Sequence, residues 1–304
     1  MKVGIIGAGM VGSSAGYAMV LEGVATDIVF VDINIPFARA QAEDILHATP
    51  VSNPVRVTAG DYASLNGSSV VILACGASQK PGENRLQLLD RNKRIFQEVT
   101  QQVVKHAPGS ILLVASNPVD IMTYHVSKHG GVPASRVIGS GTILDTARFR
   151  ALLGEHLGIA PHSVHAHVLG EHGDSEVLVW SSADVGGVPL EDAAARMGHP
   201  LTGAVKNGID TRVRRAAYTI IEGKGSTYYG IGAALARIVQ AIRDDERTVL
   251  TLSNIDTPGF DDVCLSLPRV VGKEGISSTL QPALSADERA LLGHSAEVLR
   301  SARG

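Results

Sequence analysis

The sequence predicts an α/β protein: a doubly wound parallel sheet over residues 1–139, followed by a second, mixed α/β domain over residues 140–304. Three observations carry this. Short apolar runs rich in β-branched residues recur through the first half, segments of helical period lie between several of them, and after about residue 139 the rhythm shifts to longer helices mixed with strands. Runs that are apolar throughout suit strands buried on both faces, and parallel strands need crossover connections, which put helices on those faces.

The first run, residues 2–6, stops at Gly7, and residues 10–21 then carry helical spacing through Val11, Ala15, Ala18 and Met19. Further strand-like runs lie at 27–31, 55–58, 70–75, 110–115 and 137–138, with helical segments at 38–47 and 86–105. In the second half, helices are expected at 144–157, 205–222 and 229–243, and strands near 165–169, 249–252 and 263–267. The last helix is expected from Ser285, where Glu288 completes a capping box, and it ends in Arg300 and Arg303, which suit a helix C-terminus.

A chain of 304 residues suits about two domains. Hydrophobic residues at 44% and charged residues at 19% describe a packed protein rather than a disordered one. Lys and Arg total 27 against 30 for Asp and Glu, a net charge of -3, so no strong field draws the chain to nucleic acid or anionic lipid, and a small ligand is expected. Cys75 and Cys264 have neither disulfide-framework nor metal-ligand spacing, which predicts two packed thiols, no metal and a cytoplasmic setting. The uncharged stretch 3–21 is broken by Gly4, Gly7, Gly9, Gly12 and Gly16, so it reads as buried core rather than a membrane span or signal peptide.

Gly7-Ala8-Gly9-Met10-Val11-Gly12 is a G-x-G-x-x-G between a predicted strand and a predicted helix, answered by Asp32 at the end of the second strand. Glycines there let the backbone approach a pyrophosphate, whose charge meets the N–H groups of the opening helix. An acid at position 32 accepts from ribose hydroxyls and repels an extra phosphate, so NAD is expected over NADP. A turn that needs glycine only for positive φ is the plainer alternative, and it leaves Asp32 unexplained.

Leu169-Gly170-Glu171-His172-Gly173-Asp174-Ser175 sets a histidine among acids after an apolar strand, and Asp145 and Arg148 share one helix face at i, i+3. An Asp beside a His fixes its tautomer and favours its protonated form, and a planar Arg grips a carboxylate with two hydrogen bonds. An intrahelical Asp145–Arg148 ion pair is the simpler reading. Residues 78–85 form a polar loop at the carboxyl end of the sheet, read either as a closing lid or as a solvated connection. Asn117-Pro118 is either a simple turn or a polar contact at the same rim.

With those motifs in family order, joined by Ser116-Asn117-Pro118-Val119-Asp120, the run 139–150 and Thr227-Tyr228-Tyr229-Gly230-Ile231-Gly232, the chain resembles the L-lactate/L-malate dehydrogenase family over nearly its full length, its bacterial lactate branch above all. The resemblance implies a Rossmann nucleotide domain and an oxidoreductase that moves hydride between NADH and a 2-oxoacid. His172 is then the proton donor to the pyruvate carbonyl, Asp145 its orienter, Arg85 the loop residue that polarises the carbonyl, and Arg148 the carboxylate anchor. Asn117 contacts the substrate or nicotinamide region, Thr227 lines the substrate pocket, and Ile231 packs beside the nicotinamide.

In this family Gln79 holds the position that separates lactate from malate enzymes. A neutral side chain there suits the methyl group of pyruvate, whereas oxaloacetate brings a second carboxylate that calls for Arg. Arg150 and His165 match a pair that binds fructose 1,6-bisphosphate between subunits in many bacterial members, which implies an allosterically activated homotetramer. Three rivals stand beside this reading: a malate dehydrogenase, a metal-dependent glycosidase of the same superfamily, and a non-enzymatic NAD-binding protein.

Overall fold

The computed structural model describes residues 1–77 and 85–303, with Arg85 and Leu86 described in their backbone only. The parallel half runs β1 (Lys2–Ile6), α1 (Met10–Leu21), β2 (Asp27–Val31), α2 (Ile35–Leu46), β3 (Arg56–Gly60), β4 (Val70–Leu73), α3 (Arg85–His106), β5 (Ile111–Val114), α4 (Val119–His129) and β6 (Val137–Gly139). It is followed by α5 (Ile143–Leu157), β7 (Val164–Leu169), β8 (Val177–Val185), β9 (Val188–Pro189), α6 (Leu190–Arg196), α7 (Gly203–Lys224), α8 (Tyr229–Arg243), β10 (Thr248–Asn254), β11 (Leu265–Gly272), β12 (Gly275–Thr279) and α9 (Ala286–Ala302).

The strands β3-β2-β1-β4-β5-β6 pair in parallel in that spatial order. Chain order reverses between β1 and β4, and the crevice above their carboxyl ends is where doubly wound sheets take ligands. Side chains from β1 divide by period 2 between the two faces: Val3 and Ile5 join a core under α1, α2 and α8, and Ile6 joins one under α3, α4 and α9.

The strands expected after residue 139 divide between two sheets. β10, β11 and β12 extend the first sheet, entering antiparallel where Ser253 pairs with Gly139, while β7, β8 and β9 form a separate antiparallel sheet that packs with α5, α6 and α7. Of these, β8, β9 and β12 have no counterpart in the sequence reading. The strand expected at 263–267 begins at Leu265 and runs on to Gly272. Ser285 is the N-cap of α9, with both bonds of the capping box to Glu288 formed. No helix among the described residues is long and apolar enough to cross a membrane.

α8 reaches back across the boundary to lie on α1. A Cβ on Gly232 would come within 2.8 Å of the Ser14 main chain, so only glycine permits this approach. That contact carries Ile231 to the nucleotide turn.

Candidate active site

The glycine turn closes on itself. Gly7 has φ +98, and a Cβ on Gly12 would meet the Gly7 carbonyl oxygen at 2.0 Å. A Cβ on Gly9, the N-cap of α1, would meet nothing within 4 Å, so the chain here fronts open space. The first-turn N–H groups of a helix have no intrahelical acceptor, so those of α1 are available to a ligand's phosphate. Asp32 faces the turn from the end of β2, accepting the N–H of Ala8 at 2.8 Å and that of Asn34 at 2.9 Å. Each carboxylate oxygen retains a lone pair for a hydroxyl. The cradle therefore fits the phosphates and adenosine ribose of a dinucleotide. Met10 points outward, 52% exposed, and Val11 lines the adjoining cavity.

Asp145 and His172 come from two elements fastened together by a buried hydroxyl. Thr146 Oγ1 accepts the N–H of Val168 at 2.9 Å, which ties α5 to the end of β7 and sets Asp145 beside the turn that follows. That turn is held at several points. Gly170 exchanges main-chain bonds with Ser266, Glu171 donates its N–H to Ser295, and Arg214 of α7 donates to the Asp174 carbonyl. Within it, His172 Nδ1 lies 2.6 Å from Asp145 Oδ2, and Asp145 Oδ1 accepts from Arg148 Nη1 at 2.7 Å. The intrahelical Asp145–Arg148 pair thus exists, and the same carboxylate also holds the imidazole 27 residues away.

Burial alone would push the His172 pKa down, but the charge and hydrogen bond of Asp145, with Asp120 and Glu176 adding to them, carry it up to about 9. Burial would raise Asp145, and the charges of His172 and Arg148 with their hydrogen bonds hold it below the usual carboxylate range instead. The pair is therefore an imidazolium on a carboxylate at neutral pH. With Nδ1 turned to Asp145, Nε2 is the nitrogen free to give a proton.

His172 and Arg148 face a cavity of about 340 Å³ that also touches Val11, Asn117, Thr227 and Ile231. Asn117 enters it just ahead of a cis bond to Pro118. Gln79 and the side chain of Arg85 lie outside the described residues. Cys75 also borders the cavity, its thiol pushed up to about 12 chiefly by burial, so it is no nucleophile. Cys264 is buried and free.

Arg150 and His165 are placed elsewhere. They border a second cavity of about 720 Å³ with His167, whose pKa burial and then the charges of Arg150 and His165 lower to about 4.

Sequence reasoning missed two acids around His172. Asp120, 2% exposed, accepts the His172 N–H at 2.8 Å. Glu176, 4% exposed, is raised to about 8, first by burial and then by the charge of Asp145. Asp120 sits inside an apolar stretch, Val119-Asp120-Ile121-Met122, where a charged residue was the available signal, whereas Glu176 follows the polar Gly173-Asp174-Ser175 and only borders Val177-Leu178-Val179, which gave no signal.

Comparison with known proteins places both halves of the chain in one family. Residues 1–139 match the lactate/malate dehydrogenase NAD binding domain, and residues 142–303 match the lactate/malate dehydrogenase alpha/beta C-terminal domain. The L-lactate dehydrogenase of Thermus aquaticus is 57% identical over 99% of this chain and 98% of its own length. That of Allorhizobium ampelinum is 56% identical over 99% and 97%. A crystal structure of the minor L-lactate dehydrogenase from Enterococcus mundtii in a ligands-bound form superposes with a TM-score of 0.95 at 38% identity, covering 99% of this chain and 97% of that one. On its fold, its nucleotide cradle and these relatives, the chain belongs to the lactate/malate dehydrogenase family of NAD-dependent oxidoreductases.

Proposed function

We propose that this chain is an NAD-dependent L-lactate dehydrogenase, interconverting pyruvate and L-lactate. The observation that carries the reading is the His172–Asp145–Arg148 set opening on a cavity beside the glycine turn. Bound NADH supplies the hydride that the substrate carbonyl carbon accepts. His172, protonated below about pH 9, gives the Nε2 proton to the carbonyl oxygen, and in the reverse direction the neutral ring takes it back. Asp145 keeps the ring oriented and the imidazolium charge compensated. Arg148 spends one of its five N–H donors on Asp145 and offers others to the substrate carboxylate. Arg85, from the loop end, polarises the carbonyl where negative charge develops. Asn117, Thr227 and Ile231 shape the cavity, and the neutral Gln79 favours a methyl group over a second carboxylate.

Residues 1–139 serve the nucleotide and residues 140–304 the substrate, in a cytoplasmic homotetramer. Fructose 1,6-bisphosphate is the expected effector at the Arg150–His165 cavity. What supports this is the placing of Arg150 and His165 on that cavity, where two cations from each of two subunits meeting on a two-fold axis would repel until a bisphosphate neutralises them. An NADH oxidation assay across pyruvate, oxaloacetate and a branched 2-oxoacid, with and without the bisphosphate, tests the whole reading. Pyruvate is expected to be the best substrate, with activation at subsaturating pyruvate. Preference for oxaloacetate refutes the substrate assignment, a flat response to the bisphosphate refutes the effector, and no NADH loss with any oxoacid refutes the enzyme.

A further inference from the structure

Asp145 fixes the ring of His172, and a different acid fixes its backbone. Asp120 is the second residue of α4, buried among Val119, Ile121 and Met122, and its Oδ2 accepts the His172 N–H at 2.8 Å. Three residues earlier in the chain, Asn117 borders the substrate cavity. One short segment of the nucleotide-binding half thus forms part of the cavity wall and then grips the proton donor contributed by the other half.

We propose that Asp120 is a positioning residue for proton transfer, clamping the His172 main chain against the nucleotide side and placing a fixed negative charge beside the imidazole. The inference rests on the dehydrogenase reading above. Its physical basis is the choice of residue. Asn would supply the same acceptor oxygen without the cost of burying a carboxylate. That cost is only partly relieved here, by the His172 N–H and the Ser253 side chain, because burial still outweighs both. A charge retained at such expense points to the charge itself being used. The groups that face it are His172 and Glu171 from the turn, Ser253 of β10, and Cys264 just before β11. Burial raises its carboxyl to about 6, against the pull of Ser253 and of the His172 N–H, so it is ionised through the range in which His172 loses its proton.

The test uses the full chain as wild type, D120N and D120A. The readouts are NADH binding by fluorescence and the pH profiles of kcat and kcat/KM for pyruvate reduction. D120N keeps the acceptor and loses the charge. It is expected to bind NADH as the wild type does, to keep activity at pH 6.5 within about threefold, and to move the alkaline limb down by about half a unit or more. D120A loses the clamp as well, and its kcat is expected to fall about tenfold or more at every pH. An alkaline limb in D120N that coincides with that of the wild type overturns the proposal whether or not D120A folds. A wild type inactive toward pyruvate instead overturns the dehydrogenase reading, so the two failures are distinguishable.

Discussion

Replacing Asp145 by Asn removes the charge that does most to raise His172 from its ordinary 6.5 to about 9, and it leaves one amide oxygen where two carboxylate oxygens served His172 and Arg148. Burial is then opposed chiefly by Asp120 and Glu176, and the imidazole falls to about 6.5 or lower. At pH 7.5 a group titrating near 9 is about 97% protonated, and one near 6.5 only about 9%, so protonation alone lowers kcat/KM for pyruvate reduction about tenfold. Loss of the fixed ring orientation adds a factor that does not depend on pH. The signature is therefore in the profile. Near pH 5.5 the variant imidazole is again about 90% protonated, and the deficit relative to wild type shrinks about tenfold. Steady-state NADH oxidation from pH 5 to 10, with both proteins shown to bind NADH, measures this. A deficit of the same size at pH 5.5 and pH 7.5, or an alkaline limb still near 9, refutes the reasoning.

Arg148→Lys keeps the charge but loses the planar fork, so the KM for pyruvate is expected to rise about 10- to 100-fold with NADH binding unchanged, as steady-state kinetics will read. Gln79→Arg is expected to move the ratio of kcat/KM values toward oxaloacetate, and an unchanged ratio contradicts the assigned role of position 79. Glu176 is protonated at neutral pH because burial and the charge of Asp145 hold it at about 8. Glu176→Gln should therefore leave kcat at pH 7 nearly unchanged and lower the alkaline limb, since the charge that Glu176 gains above pH 8 no longer supports the imidazolium. Arg269 is fully buried, and its guanidinium donates to the carbonyls of Leu252, Asp256, Asn254 and Leu265. Arg269→Met strands those acceptors and should cost about 3–5 kcal/mol in a denaturant melt.

The nucleotide cradle was legible because its constraint is local. Glycine spacing, a flanking strand and helix, and an acid one strand later all follow from contacts within the first βαβ unit. For the set around His172, sequence spacing put Asp145 and Arg148 on one face. That Asp145 would also reach His172 depends on the Thr146–Val168 bond between α5 and β7, which no periodicity reports. Asp120 and Glu176 were missed because whether an acid is buried is decided by packing from distant segments. The sheet extension was missed for a related reason. β10 to β12 look like strands of a separate domain, and their attachment rests on one register pair, Ser253 with Gly139, far apart in the chain. β8 escaped because its apolar start, Val177-Leu178-Val179, runs into Ser181, Ser182 and Asp184 and loses its strand pattern.

The central claim is that the His172 imidazolium delivers the proton when the substrate carbonyl is reduced. Single-turnover oxidation of NADH by pyruvate in His172→Gln tests it most directly, because binding and chemistry are read separately. The account predicts wild-type NADH affinity with the reduction step slowed about 10²- to 10⁴-fold and no alkaline limb near pH 9. A reduction step within a few fold of wild type, or one that keeps that limb, contradicts it.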